Sequence, residues 1–228
     1  MIQKNKKTVS VIIPTKNEEG YIKQTIKGVS PYADEILVID GHSTDKTVEY
    51  AESMGARVIF DNGKGKGAAL RLAAQDAKGD IVVFIDADGS HDPEDIPELL
   101  KPILEGKADL VMGSRMRGGS DELHSSLSEF IRLMGSAIIT LAINYRFKQQ
   151  LTDYQNGFRA IKREVMNRIE TTENIFTIEQ EMSIKCLKNR YKVTEVPTHE
   201  YRRVYGKSKI KVWKVAWRYV WCLVKNII

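Results

Sequence analysis

The sequence predicts an α/β protein with a mostly parallel sheet that is flanked by helices on both faces. Short β-branched runs alternate with amphipathic helical segments through the first half of the chain, which is the pattern of βαβ units. These runs are continuously apolar, as is typical of strands that are buried on both faces. The 228 residues are enough for one domain with a substantial core.

Five strands are predicted in the first half from apolar runs that end in polar residues. They span Thr8–Pro14, Glu35–Asp40, Ala56–Phe60, Asp80–Asp86 and Asp109–Met112. The helices between them are expected at about Glu18–Gly28, Ser43–Met54, Gly67–Lys78 and Pro93–Leu104. Asp92 and Pro93 suit the N-cap and the first position of the fourth helix.

The second half is less regular. A Gly- and Ser-rich loop is expected over Gly113–Ser126, and a basic loop over Val204–Lys209. The predicted helices and strands are Leu127–Ile143 (helix), Asn156–Ile161 (strand), Ile178–Asn189 (helix), Tyr191–Val196 (strand) and a terminal helix to about Asn226. No repeat or low-complexity linker interrupts this order, so we predict a single domain over residues 1–228.

Charge and composition exclude several classes of protein. A charged fraction of 29% with 42% hydrophobic residues excludes a disordered chain or a multi-span membrane protein. Of the 35 Lys and Arg residues, eight lie from Tyr201 onward, which leaves 27 against 30 Asp and Glu residues before it. The basic tail therefore follows a mildly acidic body. Two cysteines suit a reducing compartment, and we expect no signal peptide and no membrane-spanning segment.

Polar residues follow the strands at the edge where doubly wound sheets bind ligands. Asp86 and Asp88 follow the fourth strand and are separated by one residue. They could share Mg²⁺ or Mn²⁺, since these ions prefer oxygen ligands, or one of them could bind a ribose. Helix capping is the alternative; we favour it for Asp92 and Glu94. It is less persuasive for Asp86 and Asp88, because Pro93 sets the helix start several residues later.

A glycine-rich segment, Gly63–Ala68, fits the pattern G-x-G-x-x-G/A of dinucleotide-binding loops. It follows the third strand rather than the first, and Lys64 and Lys66 fill variable positions. Helix amides with these lysines could attract a phosphate, or the segment could be an ordinary turn. Both interpretations stay open, and a dinucleotide-binding protein remains an alternative class.

Several longer segments carry a family resemblance. VSVIIPTKNEEG, EILVIDGHSTDKT, GKGAAL, FIDADGSHDPEDI and NGFRAIKRE occur in this order. Together they resemble family 2 glycosyltransferases of the GT-A fold, in particular the dolichol-phosphate mannose synthase branch and its polyprenyl-phosphate relatives. The resemblance runs from Val9 to about Lys209. It implies a Rossmann-like sheet, with a nucleotide-binding half at about 1–112, an acceptor half at about 113–209 and a basic amphipathic helix at about 209–228.

The resemblance implies a nucleotide-sugar donor, either GDP-mannose or a UDP-sugar, and a divalent cofactor, Mg²⁺ or Mn²⁺. Asp86, Ala87 and Asp88 match the family's D-x-D element, which holds the metal and the donor pyrophosphate. Ser90 stands where the synthases commonly carry Gln, and we expect it to bind the metal with Asp88. The other donor-binding residues implied by the family are Pro14, Thr15, Glu18, Asp40, Arg115, Arg203 and Lys209.

The resemblance also implies a polyprenyl or dolichyl phosphate acceptor, whose phosphate would contact Arg132 and Ser136. Such a phosphate is already an anionic nucleophile, so inverting transfer needs no strong base. Asp88, Arg115 and Asp153 are the expected catalytic residues. A hydroxyl acceptor, the alternative, would need a positioned carboxylate. The candidates near the acceptor by family likeness are Asp153, Gln155, Asn156 and Glu181, with turn capping equally open for Gln155 and Glu181.

The basic tail predicts an amphipathic helix. Its basic face carries Lys207, Lys211, Lys214, Arg218 and Lys225, and its apolar face carries Trp213, Trp217, Val220, Val224 and Ile228. A Trp-rich apolar face beside cationic residues fits a membrane interface, although the helix could instead pack on the domain. We expect a peripheral protein on the cytoplasmic face of a membrane. No nucleic-acid partner is expected, because the body is acidic, and the oligomeric state stays open.

Overall fold

The computed structural model describes residues 7–121, 127–204 and 212–227. Within residues 127–132 and 212–215 it describes the backbone only. The strands are β1 (Val9–Thr15), β2 (Glu35–Asp40), β3 (Arg57–Phe60), β4 (Ile81–Phe84), β5 (Leu110–Ser114), β6 (Arg159–Lys162) and β7 (Val193–Pro197). The helices are α1 (Ile22–Val29), α2 (Thr47–Ser53), α3 (Lys66–Asp76), α4 (Ile96–Leu104), α5 (Arg115–Gly118), α6 (Leu127–Phe147), α7 (Arg163–Arg168), α8 (Ile178–Lys188) and α9 (Val212–Ile227).

Within these residues, seven strands form one sheet in the order β3-β2-β1-β4-β6-β5-β7. Strand β6 is antiparallel to both of its neighbours, with Ala160 opposite Val83 on one side and Val111 on the other. The other neighbouring pairs are parallel. The predicted α/β class with a mostly parallel sheet is confirmed. The insertion of β6 between β4 and β5 was not predicted.

The core lies in two layers, one on each face of the sheet. Alternate residues of a strand point to opposite faces, so Ile12 packs with α3, α6 and α8, whereas Ile13 packs with α1 and α4. Both layers are buried, which explains why the central strands read as unbroken apolar runs.

Element boundaries differ from the predicted ones at polar positions. Helix α1 begins at Ile22 rather than Glu18. Asp92 is a cap as predicted, but it caps a single 3-10 turn over Pro93–Asp95 that precedes α4, accepting a hydrogen bond from the Glu94 amide at 2.9 Å. The strand expected from Asn156 begins only at Arg159, because the Asn156 side chain accepts the Phe158 amide at 3.0 Å and forms a turn.

Helix α9 has three faces rather than the two predicted. Cys222 and Asn226 are buried, and Tyr219, Leu223 and Ile227 pack on the core. A second face is apolar and exposed, and carries Trp217, Val220, Trp221 and Val224. Arg218 and Lys225 lie on the third, exposed face. In the part of the chain that the structure describes, α9 and every other helix is too short or too polar to span a membrane.

Candidate active site

Two adjoining cavities, of about 310 and 120 Å³, open beyond the carboxyl ends of β1, β2 and β4. The larger one is bordered by the segments that follow these strands and by the start of α3. The smaller one lies toward α5 and α8. The residues that line both cavities are Lys66, Asp86, Asp88, Phe176 and Arg203. We name this set the shared wall.

Three residues expected to hold the donor base and ribose line the larger cavity: Pro14, Thr15 and Glu18. Asp40 is fully buried beneath it. The Asp40 carboxylate accepts hydrogen bonds from the Ser43 amide at 2.7 Å and from the Thr15 hydroxyl at 3.2 Å. Asp40 therefore fixes the two loops that border the cavity.

The glycine-rich segment also borders the larger cavity, through Gly63, Gly65 and Lys66. Gly65 precedes α3 with a φ of 109°, and a Cβ there would lie 2.6 Å from the Asn174 carbonyl oxygen. A Cβ on Gly67 would overlap the Glu173 carbonyl oxygen. Close packing of residues 173–175 thus requires these two glycines, whether or not a phosphate binds nearby.

Lys66 joins two carboxylates at the shared wall. Its Nζ lies 2.8 Å from Asp86 Oδ1 and 3.2 Å from Glu179 Oε1. Burial opposes the charge on Lys66, but Asp86 and then Glu179 outweigh burial, so the pKa of Lys66 is raised. Burial likewise opposes ionisation of Asp86, and Lys66 outweighs it, so the pKa of Asp86 is lowered. Both groups are charged at neutral pH.

The segment from Glu200 to Val204 crosses the D-x-D loop. The Tyr201 amide donates to the Ser90 carbonyl at 2.9 Å, and the Val204 amide donates to the Asp88 carbonyl at 3.0 Å. This places Arg203 Nη2 2.8 Å from Asp88 Oδ2. The D-x-D carboxylates therefore each face a cation, Lys66 for one and Arg203 for the other.

Arg115 lines the smaller cavity and is held from behind by Asp153. Its Nε and Nη2 lie 2.6 and 3.0 Å from the two Asp153 carboxylate oxygens, and Nη1 lies 3.3 Å from Glu200. Burial disfavours both charges of the pair, but the ion pair outweighs burial; it raises the pKa of Arg115 and lowers that of Asp153. Asp153 itself is not among the described residues that line either cavity.

His91 and Ser90 complete the wall of the smaller cavity. The His91 ring stacks on Phe158 at 5.1 Å, and burial lowers the pKa of His91, although Asp86 and Glu200 oppose this. The imidazole is therefore neutral at pH 7. The Ser90 amide donates to Asp88 Oδ1 at 3.0 Å, so Ser90 stabilises the D-x-D turn.

The residues predicted to contact the acceptor are only partly brought to this site. Gln155 and Asn156 line the smaller cavity. Ser136 is half-buried on α6 and is not among the described lining residues. The Arg132 side chain and all of Lys209 lie outside the described residues. Glu181 accepts the amides of Thr172 and Glu173 at 2.8 and 2.7 Å, which is the loop-capping role left open for it.

Two charged residues of the site, Glu179 and Glu200, were not predicted. Glu179 stands two residues before Glu181 in the same helix, and no local pattern distinguishes the one that reaches a cavity. Glu200 reaches Arg115 from a segment 85 residues away along the chain. Such pairings depend on tertiary contacts and leave no short-range signal in the sequence.

The chain belongs to the family described as Glycosyl transferase family 2, whose profile matches residues 10–170. It is 37% identical over 203 residues to the Glycosyltransferase AglJ of Haloferax volcanii, covering 87% of this chain and 64% of that one. It is 33% identical to the Dolichol-phosphate mannosyltransferase of Pyrococcus furiosus, and the match covers 89% of this chain and 59% of that one. It is 30% identical to a Dolichyl-phosphate hexose transferase of Haloferax volcanii, and this match covers 89% of this chain and 86% of that one.

These relatives confirm the predicted resemblance, including its dolichol-phosphate branch, and the family match places a family 2 glycosyltransferase domain over residues 10–170. The dinucleotide-binding alternative is not retained. The chain spans only 64% and 54% of the lengths of AglJ and of the Low-salt glycan biosynthesis hexosyltransferase Agl6 of the same organism.

Solved structures confirm the GT-A fold. The glucosyl-3-phosphoglycerate synthase of Mycobacterium tuberculosis, in complex with Mn²⁺, UDP and phosphoglyceric acid, superposes with a TM-score of 0.78 at 24% identity. The match covers 97% of this chain and 79% of that one. The predicted fold class, an α/β sheet with a C-terminal helix, therefore holds over the described residues.

Proposed function

We propose that this glycosyltransferase moves a hexose, with inversion, from a nucleotide sugar to a polyprenyl or dolichyl phosphate. The observation that carries the proposal is the shared wall between two cavities, with a further cation, Arg115, in the smaller one. A donor diphosphate and an acceptor phosphate must approach each other within one site. Fixed cations near both anions offset their mutual repulsion.

The donor would occupy the larger cavity. Pro14, Thr15 and Glu18 line the region proposed for the base and ribose, with Asp40 holding the loops in place. The diphosphate would then lie against Lys66 and Arg203, where charge complements it best. We propose Lys209 as a further phosphate contact. Mannose, glucose and N-acetylglucosamine donors on GDP or UDP are to be separated by a binding panel.

The D-x-D loop fits a hard divalent cation, Mg²⁺ or Mn²⁺. Among the described residues, no group of three or more His, Cys, Asp or Glu side chains is arranged as a complete metal site. Asp86, Asp88 and Ser90 do present oxygen atoms on one loop at the cavity wall, and Mg²⁺ is often bound by one or two carboxylates with substrate phosphates. When bound, the cation would neutralise charge on the departing diphosphate.

The acceptor phosphate would enter the smaller cavity, with one of its oxygens as the nucleophile. The bond from this oxygen to the anomeric carbon forms as the bond from that carbon to the diphosphate breaks, on the opposite side, and a nucleoside diphosphate leaves. Arg115 would orient the phosphate. Both Asp153 oxygens are engaged by Arg115, so we assign Asp153 to positioning Arg115 rather than to proton transfer. Arg132 and Ser136 of α6 remain proposed phosphate contacts.

Two exposed apolar faces support action at a membrane surface. Helices α6 and α9 pack against each other. Helix α6 exposes Met134, Ile138, Leu141 and Tyr145, and α9 exposes Trp217, Val220, Trp221 and Val224. Apolar residues at helical spacing beside Arg218 and Lys225 match an interfacial helix pair. We place the protein on the cytoplasmic face, because both of its cysteines are free and buried, as is usual in a reducing compartment.

The test is transfer of radiolabelled sugar from GDP-mannose, UDP-glucose and UDP-N-acetylglucosamine to dolichyl phosphate and, in parallel, to dolichol, with Mg²⁺ or Mn²⁺. We expect a product with the phosphate acceptor only, and an anomeric configuration opposite to that of the donor. Transfer to dolichol, with none to dolichyl phosphate, would establish the hydroxyl-acceptor alternative and overturn the proposal.

A further inference from the structure

Glu179, in the first turn of α8, lines the smaller cavity, and only one of its two carboxylate oxygens has a partner among the described residues. The residue is 3% exposed. Its Oε1 faces Lys66 Nζ at 3.2 Å, whereas Oε2 has no hydrogen-bond partner among the described residues. A buried carboxylate oxygen without a donor is costly, so such an atom usually has a partner that the protein alone does not supply.

The Lys66 ion pair does not account for this carboxylate. Lys66 already contacts Asp86 more closely, at 2.8 Å. A second buried carboxylate adds a desolvation cost that a single shared contact does not offset. The terminal torsion of a glutamate is broad, so a partial rotation of χ3 can bring Oε2 toward the cavity at the expense of part of the Lys66 contact.

The position of Glu179 is fixed by the fold. Arg159 is fully buried and donates hydrogen bonds to the Glu179 carbonyl at 2.7 Å and to the Asn156 carbonyl at 2.9 Å, which ties α8 to the turn before β6. Burial lowers the pKa of Arg159 to about 10, so it remains charged at neutral pH. Glu179 is thereby held on a rigid element rather than on a loop.

Three charged groups converge over Gly157. A Cβ on Gly157 would lie 3.3 Å from Lys66 Nζ, 3.4 Å from Asp86 Oδ2 and 3.7 Å from Glu179 Oε1. Asp86 belongs to the D-x-D loop and Lys66 faces the proposed diphosphate. Glu179 therefore stands beside the diphosphate region, on the smaller-cavity side, where the group attached to that diphosphate would lie.

We infer that Glu179 accepts a hydrogen bond from a hydroxyl of the transferred sugar and so determines which donor sugar is used. This inference rests on the proposed function and adds to it a residue that determines specificity for the donor sugar. The ring hydroxyls of a hexose are hydrogen-bond donors, and a carboxylate is a strong acceptor for such hydrogen bonds. A buried carboxylate oxygen that is left without a hydrogen bond also discriminates strongly against nucleotide sugars that lack the contacted hydroxyl.

The experiment measures binding, so it does not need an acceptor. Calorimetric titrations in the presence of Mn²⁺ measure the affinities of two ligands: the nucleotide sugar that wild type binds most tightly, and the corresponding nucleoside diphosphate. Glu179→Gln should weaken binding of the nucleotide sugar about 10- to 100-fold, as expected for the loss of a charge-assisted hydrogen bond, and change diphosphate binding by no more than about twofold. A deoxy donor lacking the contacted hydroxyl should bind wild type as weakly as the intact donor binds the variant.

Glu181→Gln is the matched control, because Glu181 is also buried on α8 but both of its oxygens have partners: Oε2 accepts the amides of Thr172 and Glu173, and Oε1 accepts the Thr172 hydroxyl. It should lower the Tm without a sugar-specific loss of affinity. Equal weakening of nucleotide sugar and diphosphate by Glu179→Gln would reduce Glu179 to a partner of Lys66 and overturn the inference. Unchanged sugar affinity with a lost kcat would make it a general base, which also overturns it.

The two proposals fail separately. If wild type binds a nucleotide sugar, and Glu179→Gln weakens this binding but not that of the nucleoside diphosphate, the inference stands even if dolichyl phosphate is not the acceptor. If dolichyl phosphate is glycosylated but the variant binds the intact donor normally, the proposed function stands and the inference fails.

Discussion

Arg115 and Asp153 form a two-point ion pair, with Nε to Oδ2 at 2.6 Å and Nη2 to Oδ1 at 3.0 Å, between the end of β5 and the turn before β6. Both residues are shielded from solvent. A guanidinium held on two nitrogens has its remaining donors aimed in a fixed direction. The pair therefore turns a flexible side chain into an oriented cation at the smaller cavity.

Asp153→Asn should remove the charge that orients Arg115. We expect kcat/KM for transfer to fall about 100-fold, because a misplaced cation would no longer align the proposed acceptor phosphate. The free energy of unfolding should drop by about 2–4 kcal/mol, because a buried cation loses its closest partner. Urea unfolding and steady-state kinetics measure the two effects. Arg117→Ala, an exposed neighbour in α5, is the control; a comparable activity loss there would contradict the assignment.

The same pair predicts the pH dependence of stability. The pKa of Asp153 is lowered in the folded protein from its ordinary 3.8, so its contribution is complete above that value and is lost as the pH falls through the folded value. The difference in unfolding free energy between wild type and Asp153→Asn should thus be constant above about pH 5 and shrink in more acidic buffer. If this difference in unfolding free energy instead grows as the pH falls, the Asp153 carboxyl is protonated in the folded state.

Asp88→Asn should abolish activity while the fold survives. Loss of one carboxylate of the D-x-D loop would weaken binding of the proposed divalent cation. The several kcal/mol of charge stabilisation that such a cation supplies correspond to a fall in kcat of at least about 100-fold. The variant should still unfold cooperatively, with a lower Tm because Arg203 loses its carboxylate partner at 2.8 Å. Excess EDTA should inhibit wild type but not lower the residual rate of the variant. Turnover close to wild type would refute the metal assignment.

Gly67→Ala should destabilise the protein, although alanine is the better helix former. Its Cβ would overlap the Glu173 carbonyl and lie 2.9 Å from the Ile175 carbonyl oxygen, so α3 or the segment 173–175 must move. Such overpacking costs about 1–3 kcal/mol. Gly135→Ala in α6 is the matched control, since its Cβ would meet no described atom within 4 Å, and it should be neutral or slightly stabilising. Equal Tm values for the two variants would contradict the packing account.

Replacing Trp217 and Trp221 together by Ser should reduce binding to vesicles that contain anionic lipid. The two rings are 60% and 59% exposed, and each supplies a large apolar area to an interface. We expect at least about a tenfold weaker partition in a flotation assay, with an unchanged Tm. Leu104→Ser, at 54% exposure on α4, is the control for general surface hydrophobicity. Equal partition of all three proteins would refute the proposed membrane face.

Local patterns predicted the parts of this fold in which each residue's environment follows from its neighbours in the chain. Strands β1, β2 and β4 are unbroken apolar runs because both faces of the sheet are covered, and the acids after β4 stand at the ligand edge for the same reason. Where a side chain bonds its own turn, as Asn156 does, the pattern misplaced the boundary by several residues.

The sequence by itself determined the α/β class, the family and the D-x-D loop at the end of β4, because periodicity and short motifs are local properties. Only the tertiary structure decided that β6 runs antiparallel between β4 and β5, and that Glu179, rather than Glu181, faces a cavity. It alone decided that Arg115 is held by Asp153, 38 residues further along the chain. Those outcomes depend on which segments pack together, and packing joins residues that no local pattern relates.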